Sequence, residues 1–234
     1  GPLDLDPGST TFGSITRTPK AGWAYTDVVG PVRHAFPALP IGFDTDVNGA
    51  ALAEQRWGAA KSWDTFVYLT VGTGIGGGAM AGGRLVHGLI HPEMGHVPLA
   101  KHPDDSLERG VCPFHPHCLE SLASGPAILA RWGVPGEQLP PDHPAWALES
   151  DYLAQSLVSM LCVLSPQGFV LGGSVMHQPQ LFPMVRQQVK DRLNGYLVHP
   201  RLDTLENMVV SPGLWENAVV LVAVALAMTA YERG

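Results

Sequence analysis

Apolar residues along the chain fall into short runs with two different periods. Thr65 to Val71 (TFVYLTV) is dense in β-branched and aromatic side chains and predicts a buried strand. It runs straight into Gly72-Thr73-Gly74-Ile75-Gly76-Gly77-Gly78, which reads as a glycine turn. Residues 151–164 place Leu153, Leu157, Met160, Leu161 and Leu164 at helical spacing, followed by a strand over Gly168 to Leu171 and a second turn, Gly172-Gly173. Residues 1–47 are turn-rich, with a helix near Thr26 to Phe36, a short strand over Leu39 to Phe43, and Asp46 just past its end. Asn48 predicts the N-cap of a helix running to about Lys61, because its side chain can accept from a free backbone N–H and Ala51, Leu52 and Ala53 follow. Pro135 to Pro144 reads as a surface loop, and Ala218 to Ala230, the longest apolar run, as a buried helix. That run falls short of the roughly 18 apolar residues a membrane span needs. There is no internal repeat or coiled-coil heptad. Strands alternating with helices, with glycine turns after two strands, predict an α/β architecture that holds ligands beyond its strand ends.

Composition narrows the function classes. Hydrophobic residues at 45% against 15% charged suit a folded core, and a formal charge of −7 argues against nucleic acid or anionic lipid as partner. Three cysteines, an odd number, without an export-type leader at Gly1, predict a reducing, cytoplasmic setting instead of a disulfide framework.

The sharpest chemical signal is His96 with Cys112, His115 and Cys118. Cys-x-x-His-x-x-Cys offers three soft or borderline ligands in one loop, and His96 can close a tetrahedral zinc site, although His91, His102 and His117 are further candidates for the fourth position. Glu93 and His96, in His-Pro-Glu-Met-Gly-His, share one side if the segment turns helically and can grip neighbouring hydroxyls. Metal on one ring nitrogen of His96 would leave the other for a substrate. Asp46, in Asp-Thr-Asp-Val-Asn, is a candidate general base, with the alternative that it is an ordinary turn residue. Thr73 and the glycine turns can offer backbone N–H groups and a hydroxyl to phosphate; there is no Walker-type sequence.

Taken in order, Thr18-Pro19-Lys20-Ala21-Gly22-Trp23, Asp44-Thr45-Asp46-Val47-Asn48, Gly72 to Gly78, His91-Pro92-Glu93-Met94-Gly95-His96, Cys112 to Glu120 and Leu171-Gly172-Gly173 resemble the ROK family of sugar kinases. The Cys-x-x-His-x-x-Cys form is similar to its fructokinase branch. The resemblance implies an actin-like (ribonuclease H-like) two-lobed α/β fold, with residues 1–47 as the remainder of a small lobe, 48–213 as the large lobe and 214–234 as a helix returning to the small one. It implies ATP-dependent phosphorylation of a hexose, fructose first, with Asp46 as base and Glu93, His96, Glu120 and Thr45 at the sugar. Thr73, Gly74, Pro126, Gly172 and Gly173 would serve ATP. Zinc would be structural on His96, Cys112, His115 and Cys118, Mg²⁺ would accompany ATP, and a homodimer is expected.

Two departures from the family pattern carry expectations. Thr45 stands where many members have Asn. The family's Asp-x-Gly-Gly-Thr turn, which contacts ATP phosphates and metal, has no counterpart after Gly1, so the small lobe is expected to be incomplete and the chain as given a poor kinase. The competing readings are a glucose, mannose or N-acetylhexosamine kinase, and a zinc-stabilised sugar-binding domain without catalysis.

Overall fold

Side chains of a strand alternate between faces, and in β1 (Phe66–Val71) both sets are apolar. Val67, Leu69 and Val71 enter one core while Phe66 and Tyr68 enter another. A strand buried on both sides belongs in the middle of a covered sheet. In the computed structural model, which describes residues 2–18, 20–215 and 218–233, β1 is the central strand of five in the order β3-β2-β1-β4-β5. β2 (Ile75–Ala81) runs antiparallel to β1 and β4 (Phe169–Gly172) parallel to it, from Val67 opposite Phe169 to Thr70 opposite Gly172. β3 (Arg84–Leu85) and β5 (Val209–Val210) are short edges.

One face of the sheet carries α3 (Leu119–Ala123), α4 (Gly125–Trp132), α5 (Ala145–Leu164) and α6 (Leu181–Leu193), around a core that includes Trp146, Tyr152, Leu153 and Leu157. The other face carries α2 (Asp46–Trp57) and α7 (Ala218–Arg233) over Phe66, Tyr68, Met80 and Val170. α1 (Val29–Ala35) belongs to the N-terminal segment and buries only Val29.

Several local expectations are corrected. Leu39 to Phe43 forms no strand. Pro37 and Pro40 remove backbone donors, and Gly42 lies where a side chain would strike the Leu226 carbonyl, so the segment is a loop against α7. The cap of α2 is Thr45, not Asn48. Thr45 is extended (φ −67°, ψ 154°) and its hydroxyl accepts the Asn48 N–H at 3.1 Å; the helix ends at Trp57, short of Lys61. The glycine turn covers only Gly72 to Gly74, and Gly76, Gly77 and Gly78 belong to β2. They are small because neighbours come close: a Cβ on Gly77 would sit 2.7 Å from Met94 Sδ, and one on Gly78 would strike the Val47 backbone. The Pro135 to Pro144 segment is partly docked, with a 3₁₀ turn at Gly136–Gln138 and Leu139 buried.

α7 is the largest departure. Within it Ala225 is fully buried, whereas Val219 and Val220 are 85% and 68% exposed, so the helix covers α2 with one side only. Glu216 and Asn217, within the helix expected over 214–234, lie outside the described residues, as do Gly1, Gly234 and Pro19 of the first family motif. No helix among the described residues is long and apolar enough to cross a membrane.

Candidate active site and metal centre

The parallel strands β1 and β4 end side by side, and both give way to glycine. Gly72 N–H closes on the Gly74 carbonyl at 3.0 Å, and Gly125 N–H, at the start of α4, donates to the Gly72 carbonyl at 2.8 Å. Gly173 has φ +89° and a Cβ there would strike the Val71 backbone, so no other residue fits. Gly172 has a different cause: its Cβ space lies 2.8 Å from the Tyr68 hydroxyl and 2.9 Å from Pro212. Beyond these strand ends is a cavity of about 310 Å³ lined by Thr73, Pro126 and Trp146, with Ser174 and Gln178. Thr73 and Pro126 were expected at a nucleotide site. Gly74, Gly172 and Gly173 do not line the cavity, and Ser174 and Gln178 were missed, although their place just after the Gly-Gly turn was a usable signal.

The same end of the sheet receives the start of α2. Val47 packs 3.0 Å from the Cβ space of Gly76, which brings the exposed Asp46 beside the beginning of β2. Asp46 Oδ1 accepts its neighbour's N–H, from Val47, at 3.0 Å; Oδ2 has no protein partner among the described residues. Burial first, then the carboxylates of Glu54 and Asp46, push the Tyr68 hydroxyl up to about 12, so it stays neutral below Asp46. Thr45, expected at the sugar, is buried and occupied as the helix cap. Asp44 and His87 were not singled out by sequence. Asp44 Oδ1 accepts from Thr45 N–H at 2.8 Å and Asn48 Nδ2 at 2.7 Å, while Oδ2 meets His87 Nε2 at 2.8 Å. Both line a larger cavity of about 690 Å³ that also reaches Phe43 and Leu89; Asp46, Glu93 and Glu120 are not among its walls.

Glu93 and His96 bracket a 3₁₀ turn, Met94–His96, whose His96 N–H donates to the Glu93 carbonyl at 2.9 Å. Glu93 itself lies outside the turn with a non-helical backbone (φ −117°, ψ 62°), so the helical register on which the shared-side expectation depended does not extend to it. The turn rests on β2 because Gly95 lies where a side chain would meet the Ile75 carbonyl. Glu93 Oε1 is 3.5 Å from His91 Nδ1. Glu120, in α3, reaches back to accept the Ile75 N–H through Oε2 at 2.9 Å.

His96, Cys112, His115 and Cys118 place one donor atom each within 4.8 Å of one another. His96 Nδ1 is 3.6 Å from Cys118 Sγ and 3.8 Å from Cys112 Sγ, and Cys112 Sγ is 3.9 Å from His115 Nδ1. A tetrahedron with metal–ligand bonds of about 2.0–2.3 Å has edges of about 3.3–3.8 Å; the separations of 3.6, 3.8 and 3.9 Å lie within or just above that range, so the donor set suits a four-coordinate ion after a small contraction. Burial foremost pushes the Cys118 thiol up to about 11, with Cys112 and Glu120 adding to it and the Ser121 N–H opposing, so a thiolate there calls for a cation. Of the other histidines considered, His91 accepts the Leu3 N–H, and His102 and His117 bond elsewhere in the loop. His96 Nε2 has no protein partner among the described residues.

Comparison with known proteins places the chain in a family. The ROK family model matches residues 6–229. The fructokinase of Zymomonas mobilis subsp. mobilis is 46% identical over 235 residues, covering 100% of this chain and 77% of that protein. Among solved structures, a ROK hexokinase from Thermus thermophilus superposes with TM-score 0.79 at 25% identity, covering 100% of this chain and 78% of its own. A ROK family glucokinase from Streptomyces griseus, in complex with glucose and AMPPNP, gives TM-score 0.72 at 22% identity over 93% of this chain and 77% of its own. With a family model matched over residues 6–229 and 46% identity to a relative along its whole length, the chain belongs to the ROK family.

Proposed function

We propose that this protein transfers the γ-phosphoryl group of ATP to a hexose hydroxyl, with D-fructose as substrate and fructose 6-phosphate as product. The observation that carries the reading is the convergence of Asp46, Glu120 and the Thr73–Gly74 turn on one end of the sheet, together with the 46% identity to a fructokinase over the whole chain. Asp46 Oδ2 takes the proton of the attacking hydroxyl, whose oxygen forms the new bond to the γ-phosphorus as the bond to the β-phosphate oxygen breaks. Glu93, His96 through Nε2, and Glu120 orient the sugar, and Thr73 and Pro126 border the nucleotide. Mg²⁺ accompanying ATP supplies charge neutralisation on the phosphates.

The metal centre is read as a structural zinc site, since a closed set of two thiolates and two imidazoles leaves no open position for chemistry. His96 would hold the ion through Nδ1, which faces the two thiols; that bond would fix the ring and leave Nε2 for a sugar hydroxyl. Metal analysis is expected to find one zinc per chain, and Cys112→Ser to lose it along with stability; full retention in that variant contradicts the ligand set.

A panel of hexoses with ATP and Mg²⁺ tests the activity itself. Fructose is expected to give the highest kcat/KM; preference for glucose, mannose or an N-acetylhexosamine moves the substrate, and sugar binding without ATP binding or turnover overturns the kinase reading.

A further inference from the structure

The turn between β1 and β2 is fastened at both ends by the segment that runs from α3 into α4. Glu120 Oε2 accepts the Ile75 N–H at 2.9 Å, and a Cβ on Gly74 would lie 2.8 Å from that same oxygen. A few residues on, Gly125 N–H donates to the Gly72 carbonyl at 2.8 Å. That segment is itself held: Cys118 precedes α3 and faces His96, and the Leu119 N–H donates to the Val97 carbonyl at 3.0 Å. Glu120 Oε1 has no protein partner among the described residues, and the side chain is half-buried. One carboxylate therefore has one oxygen committed to the turn bearing Thr73 and the other open.

We propose that Glu120 is a positioning residue that couples occupancy of the sugar pocket to the ordering of the Thr73–Gly74 turn. The inference rests on the kinase reading above, in which Oε1 receives a sugar hydroxyl. A hydroxyl held on Oε1 fixes the plane of the carboxylate and with it the direction in which Oε2 receives the Ile75 N–H. The turn is then preorganised for the phosphates before ATP arrives. Because coupling of binding is reciprocal, nucleotide at the turn tightens sugar binding by the same factor.

Glu120→Gln separates the two roles, since its amide oxygen can still accept the Ile75 N–H while its amide nitrogen can only donate toward the sugar. Calorimetry with a non-hydrolysable ATP analogue, with and without saturating fructose, is expected to show at least about a fivefold gain in wild-type nucleotide affinity on adding sugar. In Glu120→Gln the affinity without sugar stays near wild type and the gain falls below about twofold. Amide exchange of the wild-type protein gives a second readout that needs no variant: fructose alone is expected to slow exchange at Gly74 and Ile75. Equal gains in both proteins, or exchange at Ile75 unmoved by fructose, overturn the coupling and leave the kinase reading standing. A wild-type protein that binds neither ligand overturns both.

Discussion

Two buried carboxylates on the α4/α5 side carry opposite pH signatures. Asp105 is buried, which raises its carboxyl, but hydrogen bonds from Arg131, Tyr152 and the Leu107 N–H, with the Arg131 charge, outweigh burial and hold it below the ordinary carboxylate value. A lowered folded-state pKa contributes stability above the unfolded value that is lost as pH falls through the folded one. Asp105→Asn, which leaves the Arg131 guanidinium buried without its partner, is therefore expected to cost about 3 kcal/mol in urea unfolding at neutral pH, with a deficit that shrinks under acid. Glu149 is the reverse. Neither of its oxygens has a partner among the described residues, and burial lifts its carboxyl well above the ordinary range, with Arg131 opposing only in part. The folded state then binds the proton more tightly, so stability declines as pH rises above the unfolded value toward the folded one. Glu149→Gln should raise the melting temperature near about pH 8 more than near about pH 5, where the wild-type carboxyl is already largely protonated in the folded state. An equal change at both pH values would show that Glu149 is ionised.

At the scale of elements, the cap of α2 decides where Asp46 points. Thr45→Ala should lower stability by about 1 kcal/mol, and Thr45→Ser should restore it by keeping the hydroxyl that accepts the Asn48 N–H. Chemical denaturation of the two variants checks this, and a Ser variant as weak as Ala would show that the methyl, not the hydroxyl, matters. The sequence pattern was informative where it rests on backbone period: the apolar faces of β1, the helical spacing in α5 and the Cys-x-x-His-x-x-Cys loop all appear where they were read. It was misleading where tertiary proximity decides. Asn48 and Thr45 are both good caps, and only the extended backbone at Thr45 selects one. Gly76 to Gly78 look like turn residues locally, yet α2 and Met94 press on them and make a glycine strand the solution. The pairing of Asp44 with His87 carried no local signal, because it spans two separate segments.

The whole molecule is organised about α2, which carries the candidate base and packs on the sheet and on α7. Its far end holds Glu54, whose carboxylate accepts from Ala59 N–H at 2.6 Å, Gly213 N–H at 3.0 Å and Leu214 N–H at 3.1 Å. Arg56 reaches Glu232 and Thr229 near the other end of α7. Glu54→Ala leaves three backbone donors without their acceptor and should destabilise by about 2–3 kcal/mol in thermal unfolding, far more than Arg56→Ala, whose bond to Glu232 is exposed. Similar small losses in both would mean that the two segments are held by apolar packing alone. The expectation of a buried α7 came from composition, which cannot say how much of an apolar helix its neighbours cover.

The proposed phosphoryl transfer depends on Asp46, whose free oxygen at the start of α2 is assigned the proton of the attacking hydroxyl. Steady-state kinetics of fructose phosphorylation by wild type and Asp46→Asn is the decisive measurement. The predicted result is a fall in kcat of about a hundredfold or more with fructose affinity nearly unchanged, the scale of a lost general base. A variant that turns over at the wild-type rate would contradict the assignment and place the chemistry on another group.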